Sequence, residues 1–292
     1  MTTELPLVVG VDGSDGSMPA VDWAADEAAL HGLPLRLVHG SLWERYETSA
    51  PSAGPPRPPG RAMADHIVAC AAERAARRHP GVPVTTGVLL ADAADALLHE
   101  GNNATALITG SRGRGGLGPL LLGSVALAVA ARAHCPVIVV RGGAGPAGPH
   151  DRVLLGAGDP ATGAEAARFA FREAENHGCV LDAVRAWRCP AREAAGADTL
   201  AEAPGRDHEL RARAELDALL RDLTAEHPGV RTQRTTVEGP AGTVLVHRSA
   251  VVRLVIVGAR RRQGHCGLQL GRVAHTLLHH AGCPVAVVPQ RV

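Results

Sequence analysis

Lysine is absent from this chain: all 30 basic residues are arginine. A P-loop needs its lysine on the β/γ-phosphates, and a pyridoxal enzyme needs one for the Schiff base, so both classes are excluded. Aromatic residues make up only 2% of the sequence, too few for the stacking platforms that hold single-stranded nucleic acid. No apolar run approaches the roughly 20 residues that cross a bilayer, so no membrane partner is expected. Cysteines 70, 135, 179, 189, 266 and 283 form no C-x-x-C pair, a usage that fits a reducing cytoplasm. The opening MTTELPLVVGVDGS lacks a basic n-region and enters an apolar run at once, unlike a secretory signal.

What is present describes a globular protein. The 292 residues are 46% hydrophobic with a formal net charge of +1. That length accommodates about two domains, each with its own core. A charge so near zero gives no electrostatic footprint for nucleic acid.

One stretch organises the rest: residues 106–124, reading ALITGSRGRGGLGPLLLGS. Ala106-Leu107-Ile108 has the character of a buried strand, ending at Thr109-Gly110. Five glycines, Gly110 included, lie from 110 to 118, and a helical pattern, VALAVAARA, begins after Gly123-Ser124. A strand ending in a glycine loop that feeds a helix is an arrangement in which backbone N–H groups converge on an anion, backed by the helix dipole. Glycine suits such a loop because a Cβ would hold phosphates off the backbone and forbid positive φ. Arg112 and Arg114 stand beside it, with charge suited to neutralising phosphate.

Taken in order, residues 5–11 read as a buried strand running into Asp12-Gly13-Ser14. Ser17 is placed to cap a helix through Leu30, closed by Gly32. Strands follow at 35–40 and 82–90, with a helix over 61–79 between them. The segment 48–60, TSAPSAGPPRPPG, reads as a surface loop after the second strand. A short helix over 93–100 precedes the glycine stretch, whose helix runs to Ala133, and a fifth strand occupies 135–140. This alternation argues for a parallel sheet with right-handed crossovers. Residues 142–150, GGAGPAGPH, read as a linker, dividing the chain into domains 1–141 and 151–292.

The second half repeats the first. Residues 152–157 match the first strand, and 161–176 match its helix. Gly258 follows Gly110, and Cys283-Pro284 follows Cys135-Pro136, at the same separation of 148 residues.

The spacing Gly110-x2-Gly113-x9-Gly123-Ser124 resembles the G-x2-G-x9-G-[ST] signature of ATP-binding universal stress proteins. The flanking VVGVDGS and HCPVIVVR are also similar to that family. The resemblance implies two tandem Rossmann-like α/β domains (adenine nucleotide alpha-hydrolase-like). Each would be a five-stranded parallel sheet of order 3-2-1-4-5 with helices on both faces. It implies ATP as ligand, with adenosine contacts at Asp12 and the backbone of Gly40, and ribose and phosphate contacts at Gly110, Gly113, Gly123 and Ser124. Mg²⁺ would arrive on the phosphates, since it leans on them rather than on a protein cage. A larger aliphatic is usual in the family at Gly40, so packing on the adenine would be reduced here. The resemblance implies a nucleotide-gated regulator in stress response, acting on a protein partner of unknown identity. It implies, too, pairing of the fifth strands, here as an intrachain pseudo-dimer through 136–140 and 284–288 or as a homodimer. Gly113→Val is then expected to abolish ATP binding and leave the melting temperature of nucleotide-free protein nearly unchanged.

The second half departs where it matters. Gly158 answers Asp12, Arg261 answers Gly113 and Arg272 answers Ser124. This half is expected to keep the fold and bind ATP poorly or not at all. Arg260, Arg261, Arg262 and Arg272 are either a seat for another anion or solvated surface charge.

Other chemistry has less support. His275 and His279 share a helix face near His265, Cys266 and His280, a spacing that suits Zn²⁺. There is no HExxH glutamate, and among 15 histidines such spacing arises easily, so no protein-borne metal is expected. Cys135 and Cys283, each before a proline, read as buried small residues. Ser14 and Ser124 sit in no G-x-S-x-G elbow. No catalytic residue is assigned. Two alternatives stay open: a slow ATPase or adenylyl-transfer enzyme on the same fold, and a nucleotide-free scaffold.

Overall fold

The computed structural model describes residues 4–42, 59–113, 122–141, 151–189, 204–260 and 270–290, the side chains of 59, 204 and 260 excepted. The chain divides into two compact units, Met1–Gly143 and Ala144–Val292. The expected linker 142–150 and most of the expected surface loop lie outside the described residues.

The first unit runs β1 (Leu7–Gly10), α1 (Met18–His31), β2 (Leu35–Gly40), α2 (Pro59–Arg78), β3 (Val84–Leu89), α3 (Ala93–Glu100), β4 (Ala106–Gly110), α4 (Ser124–Arg132) and β5 (Val137–Val140). Its strands lie in the order β3-β2-β1-β4-β5, every pair parallel. The central strands carry unbroken apolar runs because both faces are covered. Leu35, Leu37, Leu107, Ile108 and Ile138 are fully buried. The outer strand β3, reading VTTGVL, is polar and partly exposed, which blunts an open edge.

Sequence expectations and structure differ at element ends for physical reasons. Ser17 occupies the N-cap position of α1, yet its side chain makes no cap hydrogen bond; its Oγ donates to the Ser14 carbonyl instead. Gly32 closes α1 as anticipated, in the left-handed region at φ 67°, its N–H donating to Ala28. Pro59 and Gly60, assigned to the loop, open α2; proline is tolerated in a first turn because its missing N–H would have no helical partner there. β5 starts at Val137, after Pro136, whose carbonyl still accepts from Leu107.

The second unit runs β6 (Arg152–Gly156), α5 (Ala164–Asn176), β7 (Val180–Trp187), α6 (Pro204–Glu226), β8 (Thr232–Glu238), α7 (Ala241–Ser249), β9 (Leu254–Arg260), α8 (Arg272–His280) and β10 (Val285–Gln290). Its order, β8-β7-β6-β9-β10, is that of the first unit, again all parallel. The two backbones correspond in detail. The Val11 and Ala157 N–H groups donate to Val38 and Val184 at 2.9 Å each. Gly123 and Gly271 hold the N-cap positions of α4 and α8 with nearly equal dihedrals, −64°/144° and −57°/150°.

Candidate nucleotide site

β1 lies between β2 and β4, so the chain winds away from it in opposite directions on its two sides. Such a switch point opens a crevice beyond the carboxyl ends of the strands. A cavity of about 230 Å³ lies there. β1 and the turn after it supply Gly10, Val11 and Asp12; β4 and the loop after it supply Thr109, Gly110, Arg112 and Gly113; β2 supplies Val38 and Gly40. Ala93 and Leu97 of α3, Ser124, Val125 and Ala126 of α4, and Ser17, Leu122 and Gly123 complete the walls. Every residue of the expected site except Arg114, which lies outside the described residues, is brought to this one cavity.

Asp12 is fixed by its own turn. Its Oδ1 accepts from the Ser14 N–H at 3.0 Å and from the Ser14 hydroxyl at 2.5 Å. His39 Nδ1 lies 2.7 Å from the Val11 carbonyl and donates to it, holding the peptide that leads into Asp12. The Ser14 hydroxyl thus donates to the Asp12 carboxylate.

The loop glycines answer to the protein's own packing. Gly110, Gly113 and Gly123 do not adopt positive φ, so that part of the sequence argument does not hold. A Cβ on Gly110 would run into the Gly16 carbonyl, and one on Gly113 into Asp12 Oδ2. The two loops pack backbone against backbone, and Gly16, overlooked in the sequence, is the other half of that contact: its own Cβ would meet the Arg112 carbonyl at 2.5 Å. Gly40 is dictated in the same way, since a Cβ there would lie 2.6 Å from the Ala93 Cα. No larger aliphatic fits where α3 begins. A side chain at 113 has to push the Asp12 carboxylate aside, so Gly113→Val is expected to cost some stability in nucleotide-free protein as well.

The Gly123 N–H is also occupied, donating to the Ser111 carbonyl at 2.8 Å. Ser124, Val125 and Ala126 follow it at a helix start with no side-chain cap. N–H groups of a first turn have no intrahelical acceptor, and these three residues face the cavity. With Arg112 in the wall, the arrangement has the charge and the open N–H groups that suit an anion. Arg141, directly after β5, adds charge that the sequence reading passed over, although it ends the quoted HCPVIVVR. Burial, then repulsion from Arg112, lowers its pKa from the usual arginine value, so the two guanidinium groups are near enough to repel each other. Thr109 was also passed over. It is 4% exposed, and its hydroxyl has no hydrogen-bond partner.

Residues 6–141 and 149–289 both match the model of the universal stress protein family. The chain belongs to that family. Universal stress protein Rv2005c of Mycobacterium tuberculosis is 32% identical over 300 residues, covering 97% of each chain. A universal stress protein from Archaeoglobus fulgidus shares the fold, with TM-score 0.70 at 15% identity over 99% of each chain. The structure of the universal stress protein from the same organism in complex with dAMP matches 47% of this chain and 98% of its own, at 25% identity and TM-score 0.35.

The second universal stress domain keeps the backbone and changes the side chains. Gly158 stands at the position of Asp12, and the Arg185 side chain, in the place of His39, donates to its carbonyl and pairs with Glu215. Arg272 is the first residue of α8, where α4 has Ser124. Pro289, paired with Ala259, stands where the first domain has Arg141. Arg261 and Arg262, and the side chain of Arg260, lie outside the described residues, as do His265 and Cys266.

Other candidates resolve plainly. The His275 and His279 rings are 4.5 Å apart, and among the described residues no third ligating side chain joins them. Burial pushes the Cys135 thiol up to about 11 and the Cys283 thiol to about 12, so both stay protonated and unreactive near neutral pH. Among the described residues no helix is long and apolar enough to cross a membrane.

Proposed function

We propose that the first domain binds ATP in the cavity beyond β1 and β4, and that occupancy regulates the binding of a protein partner in a stress response. The carrying observation is that an uncapped helix start and Arg112 share one cavity with the apolar wall of Val38 and Leu97. One part suits phosphate and the other suits a base. Asp12 faces the ribose, Gly40 offers backbone to the adenine, and Gly110 and Gly113 bring the loop close to the phosphates. Ser124 adds its hydroxyl and N–H, while Gly123 acts by turning the chain into α4. Arg112 offsets phosphate charge. Asp12 is the sole acidic group among the described lining residues, so Mg²⁺ is carried by the phosphates.

The same lining favours a regulator over an enzyme. It contains no histidine, glutamate or lysine among its described residues, and Asp12 is engaged by Ser14. The test combines calorimetric titration with Mg-ATP and mass spectrometry of small molecules released on denaturation. Saturable heat, with an adenine nucleotide retained and not turned over, is expected. No heat at millimolar ATP overturns the binding assignment. Turnover above about 1 s⁻¹, within the ordinary enzyme range, overturns the regulatory one.

A further inference from the structure

Thr109 is the one cavity-lining residue, among the described residues, with a buried side-chain polar atom that has no partner. A buried hydroxyl without a hydrogen bond is destabilising, and such atoms are few in folded proteins. A β-branched strand residue of the same shape without that cost is available, namely valine.

The second domain uses it. Gly10 is laterally paired with Thr109, and a Cβ on Gly10 would meet Leu97 at 2.7 Å. In the second domain Gly156 is paired with Val257, and a Cβ on Gly156 would meet Leu245, again at 2.7 Å. Glycine, leucine and a β-branched residue recur in one arrangement, and Val257 is as buried as Thr109, 3% against 4% exposed. The fold therefore accepts valine at this place. The hydroxyl appears only in the domain that also has Asp12 and Ser124.

Laterally paired residues of a parallel sheet share a face, so Thr109 stands on the side of Leu97. Its neighbours in the cavity, Gly10, Val38, Leu97 and Ala126, are apolar, whereas the charge lies with Arg112 and the start of α4. A phosphate has no reason to seek this wall. A flat heterocycle with a polar edge does, and a threonine hydroxyl both donates and accepts. We propose that the Thr109 hydroxyl hydrogen-bonds a ring nitrogen or amino group of the nucleotide base, and so sets the base selectivity of the pocket. The inference rests on the nucleotide reading above.

The test uses the full chain and three proteins: wild type, Thr109→Val and Thr109→Ser. Thr109→Val is expected to bind ATP about tenfold more weakly in calorimetry, the usual scale for one lost hydrogen bond. Nucleotide-free Thr109→Val should melt at or above the wild-type temperature, because an unpartnered hydroxyl is replaced by a methyl group. Thr109→Ser, which keeps the hydroxyl, should bind within about threefold of wild type. Binding of inorganic tripolyphosphate, which has no base, should be equal in wild type and Thr109→Val. A change below twofold in Thr109→Val overturns the proposal, as does an equal loss in Thr109→Ser. If wild type gives no heat with ATP, the nucleotide reading itself falls; if wild type binds and Thr109→Val binds equally, only the role of Thr109 falls.

Discussion

At the scale of single residues, two glycines of one motif do different work. Gly113 is small because Asp12 Oδ2 occupies the space a side chain would need, whereas a Cβ on Gly123 finds nothing nearer than the Ser111 carbonyl at 3.5 Å. Gly113→Ala should therefore destabilise nucleotide-free protein by about 1–3 kcal/mol, the range for forced overpacking. Gly123→Ala should leave stability within about 0.5 kcal/mol of wild type, since its dihedrals suit any residue. Thermal melts of the two variants without nucleotide check this. Equal melting temperatures would remove the packing account of Gly113.

At the scale of elements, the cavity depends on how α3 sits against β2. Asp92 caps α3 through the Ala94 N–H at 2.9 Å. Arg36 on β2 grips Glu100 at the far end with two hydrogen bonds, 2.6 and 2.8 Å. Hydrogen bonding from Arg36 holds the Glu100 carboxyl below its ordinary 4.5, against the opposing effect of burial. A carboxyl lowered in the folded state contributes stability that is complete above its unfolded value and is lost as pH falls through the folded one. Glu100→Gln should cost about 1 kcal/mol at pH 7, modest because Arg36 is partly exposed. The gap to wild type should narrow as pH drops below 4.5. Melting temperatures of both proteins from pH 7 to pH 3 provide the measurement, and a gap constant with pH would contradict the ion-pair reading.

At the scale of the whole chain, two domains share a backbone and divide in chemistry. The second has lost the counterparts of Asp12, Thr109, Ser124 and Arg141, standing as Gly158, Val257, Arg272 and Pro289. Only the first should take up ATP. Equilibrium dialysis should give one equivalent per chain, and two would refute the division. Arg272 stands where the proposed phosphate site has Ser124, and Ser124→Arg would put a long side chain where phosphate is proposed to lie. That substitution should abolish the remaining equivalent while circular dichroism stays unchanged, because α8 starts with arginine in the same geometry.

The fold was legible in sequence because its signals are local. Strands covered on both faces read as unbroken apolar runs, glycine stops α1 at residue 32, and the duplication shows as a fixed spacing along one chain. The glycine motif likewise marked where the cavity opens, since a loop between strand and helix is a feature of consecutive residues. What each residue does there was decided by the register of strands brought together from about a hundred positions apart. Gly110 touches Gly16, Gly113 touches Asp12, and Arg141 comes beside Arg112 only once β1, β4 and β5 are side by side. Thr109 reads in the sequence as one more strand residue. Its unanswered hydroxyl emerges only when lateral pairing places Gly10 next to it and Leu97 across the same face, because whether a polar atom is satisfied depends on neighbours that the linear order does not contain.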